Sequence, residues 1–427
     1  MSKKKLSLVV MIVLFAMLFY SLAFAQGVVI KFYGQTGAAN IGREIAHKQI
    51  FENYEKNNPN VKIDALFFPW EELERKITLA ATGENPPDIF YVDCPLLPFF
   101  ADNGVIAPMT EYYTTEEMND ILPASIEDAT WNGEFYGPPE SQSAQALFYN
   151  KTMFDEAGIQ PPVELDKAWT WEEALEVLRK MTKDVDQDGR IDIYGLGIVH
   201  SPSFYDWGHI VRSNGEKDST TFAAISPDGL SVKGYLDTPE ALEAFNFMAD
   251  LFNEWKVVPK VPMPDMLQTG KCATVMENES LIGATQVNYP DFEYGITPLP
   301  YFKTMISHTG SLHYCLSAKS QYPEETAKLI KYMGGKEASL IMFKYLRQLP
   351  ALKSVYEEIS DYDSYPQQLM RDVLFNVGYV RPRTVGFTEY DALFSKAMSD
   401  IIAGANVEKT VERMVNEIER QLNKYRR

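Results

Sequence analysis

Between Val28 and Asp93 the chain alternates strand, helix, strand, helix, strand, and no other stretch restricts the possible fold so strongly. Val28 to Phe32 is a short apolar run. Ile41, Ile45, Ile50, Phe51 and Tyr54 then keep near one face of a helix that stops at Asn57-Asn58-Pro59. Val61 to Phe68 is the next strand, Trp70 to Thr82 a helix ended by Gly83, and Pro87 to Asp93 a third strand. Strands spaced by helices in this way pair in parallel through right-handed crossovers, and helices cover both faces of the sheet. The chain is therefore α/β. In such sheets ligands collect at the carboxyl ends of strands. The loop Gln35 to Asn40 and the residue Asp93 lie at two such ends.

The N-terminal residues have a different character. Lys3, Lys4 and Lys5 precede an apolar run from Leu8 to Tyr20, and Ala23-Phe24-Ala25 is a small-x-small pattern before Gln26. This reads as a secretory signal peptide cleaved near Ala25. Its apolar core falls short of the roughly 20 residues that span a membrane, and no later run approaches that length. No Cys follows the cleavage site, so the mature protein is expected free in the periplasm or secreted. Removing 25 of 427 residues leaves 402, and losing three lysines and no acids takes the formal charge from −19 to −22. That balance excludes a phosphate-rich polymer as partner, because affinity for such polymers comes from Lys and Arg. A chain of this length splits into two domains. Three cysteines, Cys94, Cys272 and Cys315, are too few for a disulfide framework.

Trp131 to Lys151 reads as a passage between those domains. Asn132-Gly133 is a two-residue turn signal, so Trp131 to Tyr136 forms a hairpin, and Gly137-Pro138-Pro139 ends regular pairing. Polar residues from Glu140 to Gln145 then lead into Ala146-Leu147-Phe148-Tyr149, which has the content of a buried strand. Such a junction places hydrogen-bonding side chains at the mouth of a core strand; the alternative is an ordinary loop. Trp171 to Met181, Glu240 to Trp255, Glu324 to Met333 and the final stretch with Val407, Val411, Met414, Val415, Ile418 and Leu422 carry apolar residues at helical spacing and belong to the core.

Asp184, Asp186, Asp188, Arg190 and Asp192 follow the ligand order of a calcium loop, with carboxylates at positions one, three, five and nine, Gly189 at six and a backbone carbonyl at seven. Gly195 stands where the bidentate Glu belongs, so the readings are a structural Ca²⁺ or a solvated acidic turn. No other cofactor is called for. The five histidines, His47, His200, His209, His308 and His313, show no metalloprotease spacing, and neither a nucleophile elbow nor a P-loop occurs. A glycosidase needs two apposed carboxylates. Asp93, Glu140 and Glu277 leave that alternative open.

Ordered motifs run along the mature chain: Phe51-Glu52-x-x-Glu55-x-x-x-Pro59-x-Val61-x-Ile63, Gly83-x-x-Pro86-Pro87-Asp88-Ile89, Asn103-Gly104-Val105-Ile106-x-Pro108 and Asn132-Gly133-x-x-Tyr136-Gly137-x-Pro139. Leu147-Phe148-Tyr149-Asn150-Lys151-x-x-Phe154, Trp169-Thr170-Trp171-Glu172-Glu173, Gly270-Lys271-x-Ala273-x-x-Met276, Tyr294-Gly295-Ile296-x-Pro298-Leu299-Pro300 and Arg381-Pro382-Arg383 continue them. In order and spacing the chain resembles the extracellular solute-binding proteins of bacterial ABC importers, in the sugar-binding branch that includes maltose-binding protein.

The resemblance implies a two-lobed periplasmic-binding-protein fold, each lobe a mostly parallel sheet flanked by helices, joined by a multi-strand hinge. Residues 26–136 and 279–312 would form the first lobe, 137–278 and 313–427 the second, with crossings at the stretch above, near Ala273 to Glu279, and near Leu312 to Ala318. The family's ligand-loop positions fall on Gln35, Thr36, Asn40, Trp70 and Asp93 in the first lobe and on Glu140, Ser141, Glu277, Asn278, Gly310 and Ser311 at the crossings. In the second lobe they fall on Tyr205, Trp207, Arg383, Phe387 and Tyr390. The implied function is binding of a neutral mono- or oligosaccharide by a monomer that hands it to ABC permease subunits, without catalysis. A binder of a polyamine or phosphate ester is the alternative within the same class.

Overall fold

The computed structural model describes residues 27–37, 41–83, 85–200 and 202–426, so the signal-peptide reading and Asn40 lie outside the described residues. Two four-stranded sheets organise the chain. In the first, Val28–Gln35 pairs in parallel with Val61–Phe68 on one side and Ile89–Asp93 on the other, as the alternation predicts. The fourth strand, Leu312–Leu316, joins antiparallel along Ile89–Asp93. Helices Ile41–Asn57 and Trp70–Thr82 pack on this sheet, the former through Ala46, His47, Ile50, Phe51 and Tyr54. Helix Lys336–Leu346 packs in turn on Ile41–Asn57.

The second sheet runs Tyr194–Gly197, Cys272–Asn278, Gln145–Asn150, Tyr294–Thr297. Only its first pair is parallel; both partners of Gln145–Asn150 run against it, so the lobe departs from a mostly parallel pattern. Topology supplies the reason: Gln145–Asn150 carries the chain in from the first lobe, and Cys272–Asn278 carries it back toward the crossings. Gln145–Asn150 is buried at every position and its side chains alternate between two cores. Ala146 and Phe148 pack with the cluster that reaches from the first lobe to helix Gln367–Val377; Leu147 packs with Trp171, Phe204, Phe245, Phe394 and Met414 on the other face. Helices Trp171–Met181, Phe204–Ser213, Pro239–Asn253, Phe387–Ile402 and Val407–Leu422 supply that second core. Thr170 opens the first of these with a capping box: its hydroxyl takes the Glu173 N–H and the Glu173 carboxylate takes the Thr170 N–H.

The lobe boundaries differ from the expected ones in their C-terminal half. Tyr294–Thr297 belongs to the second sheet, whereas Leu312–Leu316 and the helices Pro323–Met333 and Lys336–Leu346 belong to the first lobe; the chain returns to the second lobe for Phe387–Ile402 and Val407–Leu422. The exposed edge of Ile89–Asp93 is what draws Leu312–Leu316 across.

The crossings lie side by side. The hairpin Thr130–Trp131 with Glu134–Phe135 turns on Asn132 and Gly133, both at positive φ (49° and 83°), as a primed turn requires. Gly137 follows at φ 146°, where a Cβ would stand 2.0 Å from the Tyr314 carbonyl oxygen, so only glycine fits between these strands. Pro139 then bridges to His313 and Ala144 to Thr309, which ties the first crossing to the segment between the sheets at 309–311. No described helix is long and apolar enough to cross a membrane.

Candidate functional site

The carboxyl ends of Val28–Gln35 and Ile89–Asp93 and the crossings open on a cleft between the lobes. It comprises a cavity of about 550 Å³ on the crossings and an adjoining one of about 780 Å³ that runs outward between helices Trp70–Thr82 and Phe387–Ile402. Trp70, Asp93, Tyr205 and Arg381 line both.

Arg381 sits at this junction. Its guanidinium grips the Asp93 carboxylate through two N–H donors (2.8 and 3.3 Å) and lies 5.2 Å from the centre of the Tyr205 ring and 5.9 Å from that of Phe387. Planar guanidinium suits both contacts, the bidentate pair and the ring face. Deeper, Arg43 donates to Glu140 (2.9 Å), to Gln35 and to Gln348 (2.8 Å), and Ser141 also donates to Gln348 (2.9 Å). Both arginines are thus engaged by acceptors of the protein itself.

The second-lobe wall is hydrogen-bonding and acidic. Tyr205 Oη meets Ser143 Oγ (3.2 Å) and accepts from Asn278 Nδ2 (3.4 Å). Glu277 takes the Asn278 N–H (2.8 Å) and stands 3.3 Å from His200 Nε2, which raises the pKa of that imidazole. Burial pushes the Asp206 carboxyl up to about 6. At the floor His313 Nδ1 lies 3.0 Å from the Gly137 carbonyl and Nε2 lies 2.6 Å from Ser311 Oγ. A carbonyl only accepts, so Nδ1 carries the proton and Nε2 receives the Ser311 hydroxyl, which leaves the Ser311 oxygen as an acceptor toward the cleft. Burial holds His313 down at about 4, neutral at physiological pH.

Of the residues expected from sequence, Gln35, Trp70, Asp93, Ser141, Tyr205, Glu277, Asn278, Gly310 and Ser311 line the inner cavity and Phe387 the outer one. Five others lie elsewhere. Thr36 donates to Glu44. Glu140 is buried beneath the cleft on Arg43. Trp207 packs 5.3 Å from Phe252 in the second-lobe core, because at this point of helix Phe204–Ser213 the apolar face turns inward. Tyr390 is fully buried with its hydroxyl on the Ala224 carbonyl, and Arg383 lies over the Trp131 ring at 5.7 Å. Arg43, His200, Asp206, Glu279, Gln348 and Arg381 line the inner cavity as well, beyond the residues expected from sequence. Two of them carried a signal. Arg43 shares a helical face with His47, Ile50 and Tyr54, and a charge in an apolar stripe marks a buried pair; Arg381 stood two residues from the arginine chosen.

The acidic loop lies between Met181 and Tyr194, at the end of strand Tyr194–Gly197 opposite to the one that leads to His200, and lines neither cavity. Oxygens of Asp184, Asp186 and Asp188 lie within 4.8 Å of one another, while the Asp192 carboxylate takes the Val185 N–H (2.7 Å). Asp184 also accepts from the N–H groups of Asp188 (3.2 Å) and Gly189 (2.8 Å), which curls the loop around its own carboxylates.

The sequence profile described as "Bacterial extracellular solute-binding protein" matches residues 49–370. Curated relatives from Brucella abortus, named only as binding proteins, are 22% identical over 259 residues, and the match spans 59% of this chain and 59% of theirs. Among solved structures, the ABC substrate-binding protein Lmo0181 of Listeria monocytogenes in complex with cycloalternan superposes with a TM-score of 0.79 at 18% identity, over 93% of this chain and 99% of that one. The maltose/maltodextrin-binding domain MalE of Bdellovibrio bacteriovorus bound to maltotriose gives 0.77 at 22% identity, over 93% and 100%. A two-lobed α/β fold, a polar cleft at the crossings and a profile match across most of its length agree on one assignment: the chain belongs to the bacterial extracellular solute-binding proteins.

Proposed function

We propose that the protein binds a neutral oligosaccharide or monosaccharide in the cleft between its lobes and delivers it to the permease of an ABC importer. The observation that carries this reading is that the cleft's two buried cations, Arg43 and Arg381, are already held by Glu140 and Asp93, while carboxylates, amides and hydroxyls remain along the walls. Sugars present hydroxyls that need many donors and acceptors, and C–H faces that stack on rings; Trp70, Tyr205 and Phe387 supply the rings. A phosphate ester would call for open Arg or Lys donors. Neighbours in fold that hold cycloalternan and maltotriose support the same ligand class.

The protein acts in this reading outside the cytoplasm, as a monomer and without catalysis; translocation and ATP hydrolysis belong to partner subunits. The loop Asp184 to Asp192 holds a structural Ca²⁺ through Asp184, Asp186, Asp188 and the Arg190 carbonyl, away from the ligand. A thermal-shift panel of neutral mono-, di- and trisaccharides including maltotriose, with glycerol phosphate and spermidine as charged controls, tests the reading. A ligand at 100 times its Kd adds about 2.7 kcal/mol of stability. Stabilisation by the charged controls alone refutes the neutral-sugar assignment.

A further inference from the structure

Glu279 is the residue at which the second crossing leaves Cys272–Asn278 and enters helix Ser280–Asn288. Its side chain lines the inner cavity, yet the residue is only 1% exposed. One carboxyl oxygen, Oε2, accepts the Ala144 N–H at 3.2 Å, and Ala144 in turn bridges Thr309, so this carboxyl touches the first crossing where it meets the segment that leads into the third. The other oxygen, Oε1, is buried with no hydrogen-bond partner among the described residues.

A carboxylate in that position would be buried with backbone N–H groups alone to support it, those of Ala144 and of Glu279 itself, and no cation of its own. The charged groups around it do not repair this. Arg43, from helix Ile41–Asn57, is the basic side chain that acts on it, and its guanidinium donates to Glu140, Gln35 and Gln348. Glu277, from the adjoining strand, repels a negative charge there, and Tyr205, Tyr356 and Tyr362 face it as neutral hydroxyls whose own ionisation is pushed up by burial. An uncompensated buried charge is more costly than a proton taken from solvent, so the group neutralises.

We propose that Glu279 is a specificity-determining residue of the cleft, a neutral carboxylic acid that holds Ala144 through one oxygen and donates its proton from the other to an oxygen of the bound ligand. The inference rests on the sugar-binding reading and adds to it a cleft group that is still a donor at neutral pH and turns acceptor as it ionises. Burial raises its pKa to about 8, against 4.5 for a free side chain. The folded protein therefore binds this proton more tightly than the unfolded chain, and the stability that goes with it is lost as pH rises from 4.5 through 8. Ligand affinity, which needs the donor, falls above the same pKa.

The experiment follows parent, Glu279→Gln and Glu279→Leu from pH 6 to pH 9. Calorimetry uses the tightest neutral sugar of the panel, and melting temperatures are recorded without ligand. Parent affinity is expected to fall about tenfold between pH 7 and pH 9, one factor of ten per unit above the pKa. Glu279→Gln, a permanent donor and acceptor, gives a flat profile, and Glu279→Leu binds at least tenfold more weakly at every pH. Without ligand, the parent melting temperature falls relative to Glu279→Gln as pH rises. Parallel melting curves for parent and Glu279→Gln overturn the neutral acid, and a pH-independent parent affinity overturns its donor role. A panel without a hit refutes the sugar reading instead, and the melting curves distinguish that failure because they report on Glu279 in the empty protein. If Glu279→Gln does not fold, the infrared carbonyl band of a protonated carboxylic acid in the parent at pH 7, absent at pH 9, decides the same point.

Discussion

Removing the Asp93 carboxylate strands a guanidinium. Arg381 and Asp93 have side chains only 9% and 21% exposed, and they meet through two N–H donors where the two cavities join. Breaking such a pair by deleting one partner costs about 3 to 5 kcal/mol, and because a fifth of Asp93 still reaches solvent the low end, about 3 kcal/mol, is expected for Asp93→Ala. Most of that cost is the stranded charge on Arg381, whose remaining polar contact here is Cys94 Sγ at 3.1 Å. Taking the charge away should therefore restore stability: the double variant Asp93→Ala with Arg381→Met is expected to be more stable than Asp93→Ala alone by at least about 1 kcal/mol. Urea unfolding read by tryptophan fluorescence and by far-UV circular dichroism measures both, and coincident transitions license the comparison. A loss below about 1 kcal/mol in Asp93→Ala, or a double variant no more stable than the single one, refutes the argument. Ligand binding offers a second readout, because Asp93 also lines the cleft: its loss should weaken binding at least tenfold, about 1.4 kcal/mol.

Trp70→Ala should weaken ligand binding at least tenfold with little change in melting temperature, whereas Trp207→Ala should lower stability by about 3 to 5 kcal/mol as a core cavity; calorimetry and melting on the two variants separate cleft from core, and the reverse pattern refutes the placement. Stripping divalent ions should lower the melting temperature without abolishing ligand binding, because Asp184, Asp186 and Asp188 crowd within 4.8 Å of one another and line neither cavity; identical melting in chelator and in millimolar Ca²⁺ defeats the calcium reading. His209 is fully buried with neither ring nitrogen bonded among the described residues, and burial holds it down at about 3. Its unfolded form takes up a proton below 6.5 that the folded form refuses, so stability falls with decreasing pH at up to about 1.4 kcal/mol per unit. His209→Leu should flatten the melting profile between pH 6 and pH 4 relative to the parent, and an unchanged slope counts against it.

Much of the first sheet was legible because its strands and helices alternate within one short stretch, each bounded by Gly, Pro or Asn. The capped helix at Thr170 and the turn at Asn132-Gly133 were legible for the same reason: their chemistry is local. Lobe membership was not. Nothing around Leu312–Leu316 says that it will pair with Ile89–Asp93 rather than continue in the sheet of Tyr294–Thr297, since strand order is decided by an open edge elsewhere in the chain. The cleft shows the same division. Asp93 follows from its place at a strand end, and Glu277 and Ser311 follow from the family resemblance, but the choice of Arg381 over Arg383 depends on which of two nearby side chains faces Asp93.

That antiparallel edge also sets an order of events in synthesis. The first lobe lacks its fourth strand until Leu316 has left the ribosome or the export channel, and the second lobe lacks Phe387–Ile402 and Val407–Leu422 until nearly the whole chain has followed. The first lobe is therefore not finished early as an N-terminal unit, the usual route for multidomain chains, but only after Lys336–Leu346 has been made. Contacts between segments so distant in sequence also close slowly. The nascent protein therefore stays open for most of its synthesis, the condition in which a secreted chain must be kept to thread through a translocon.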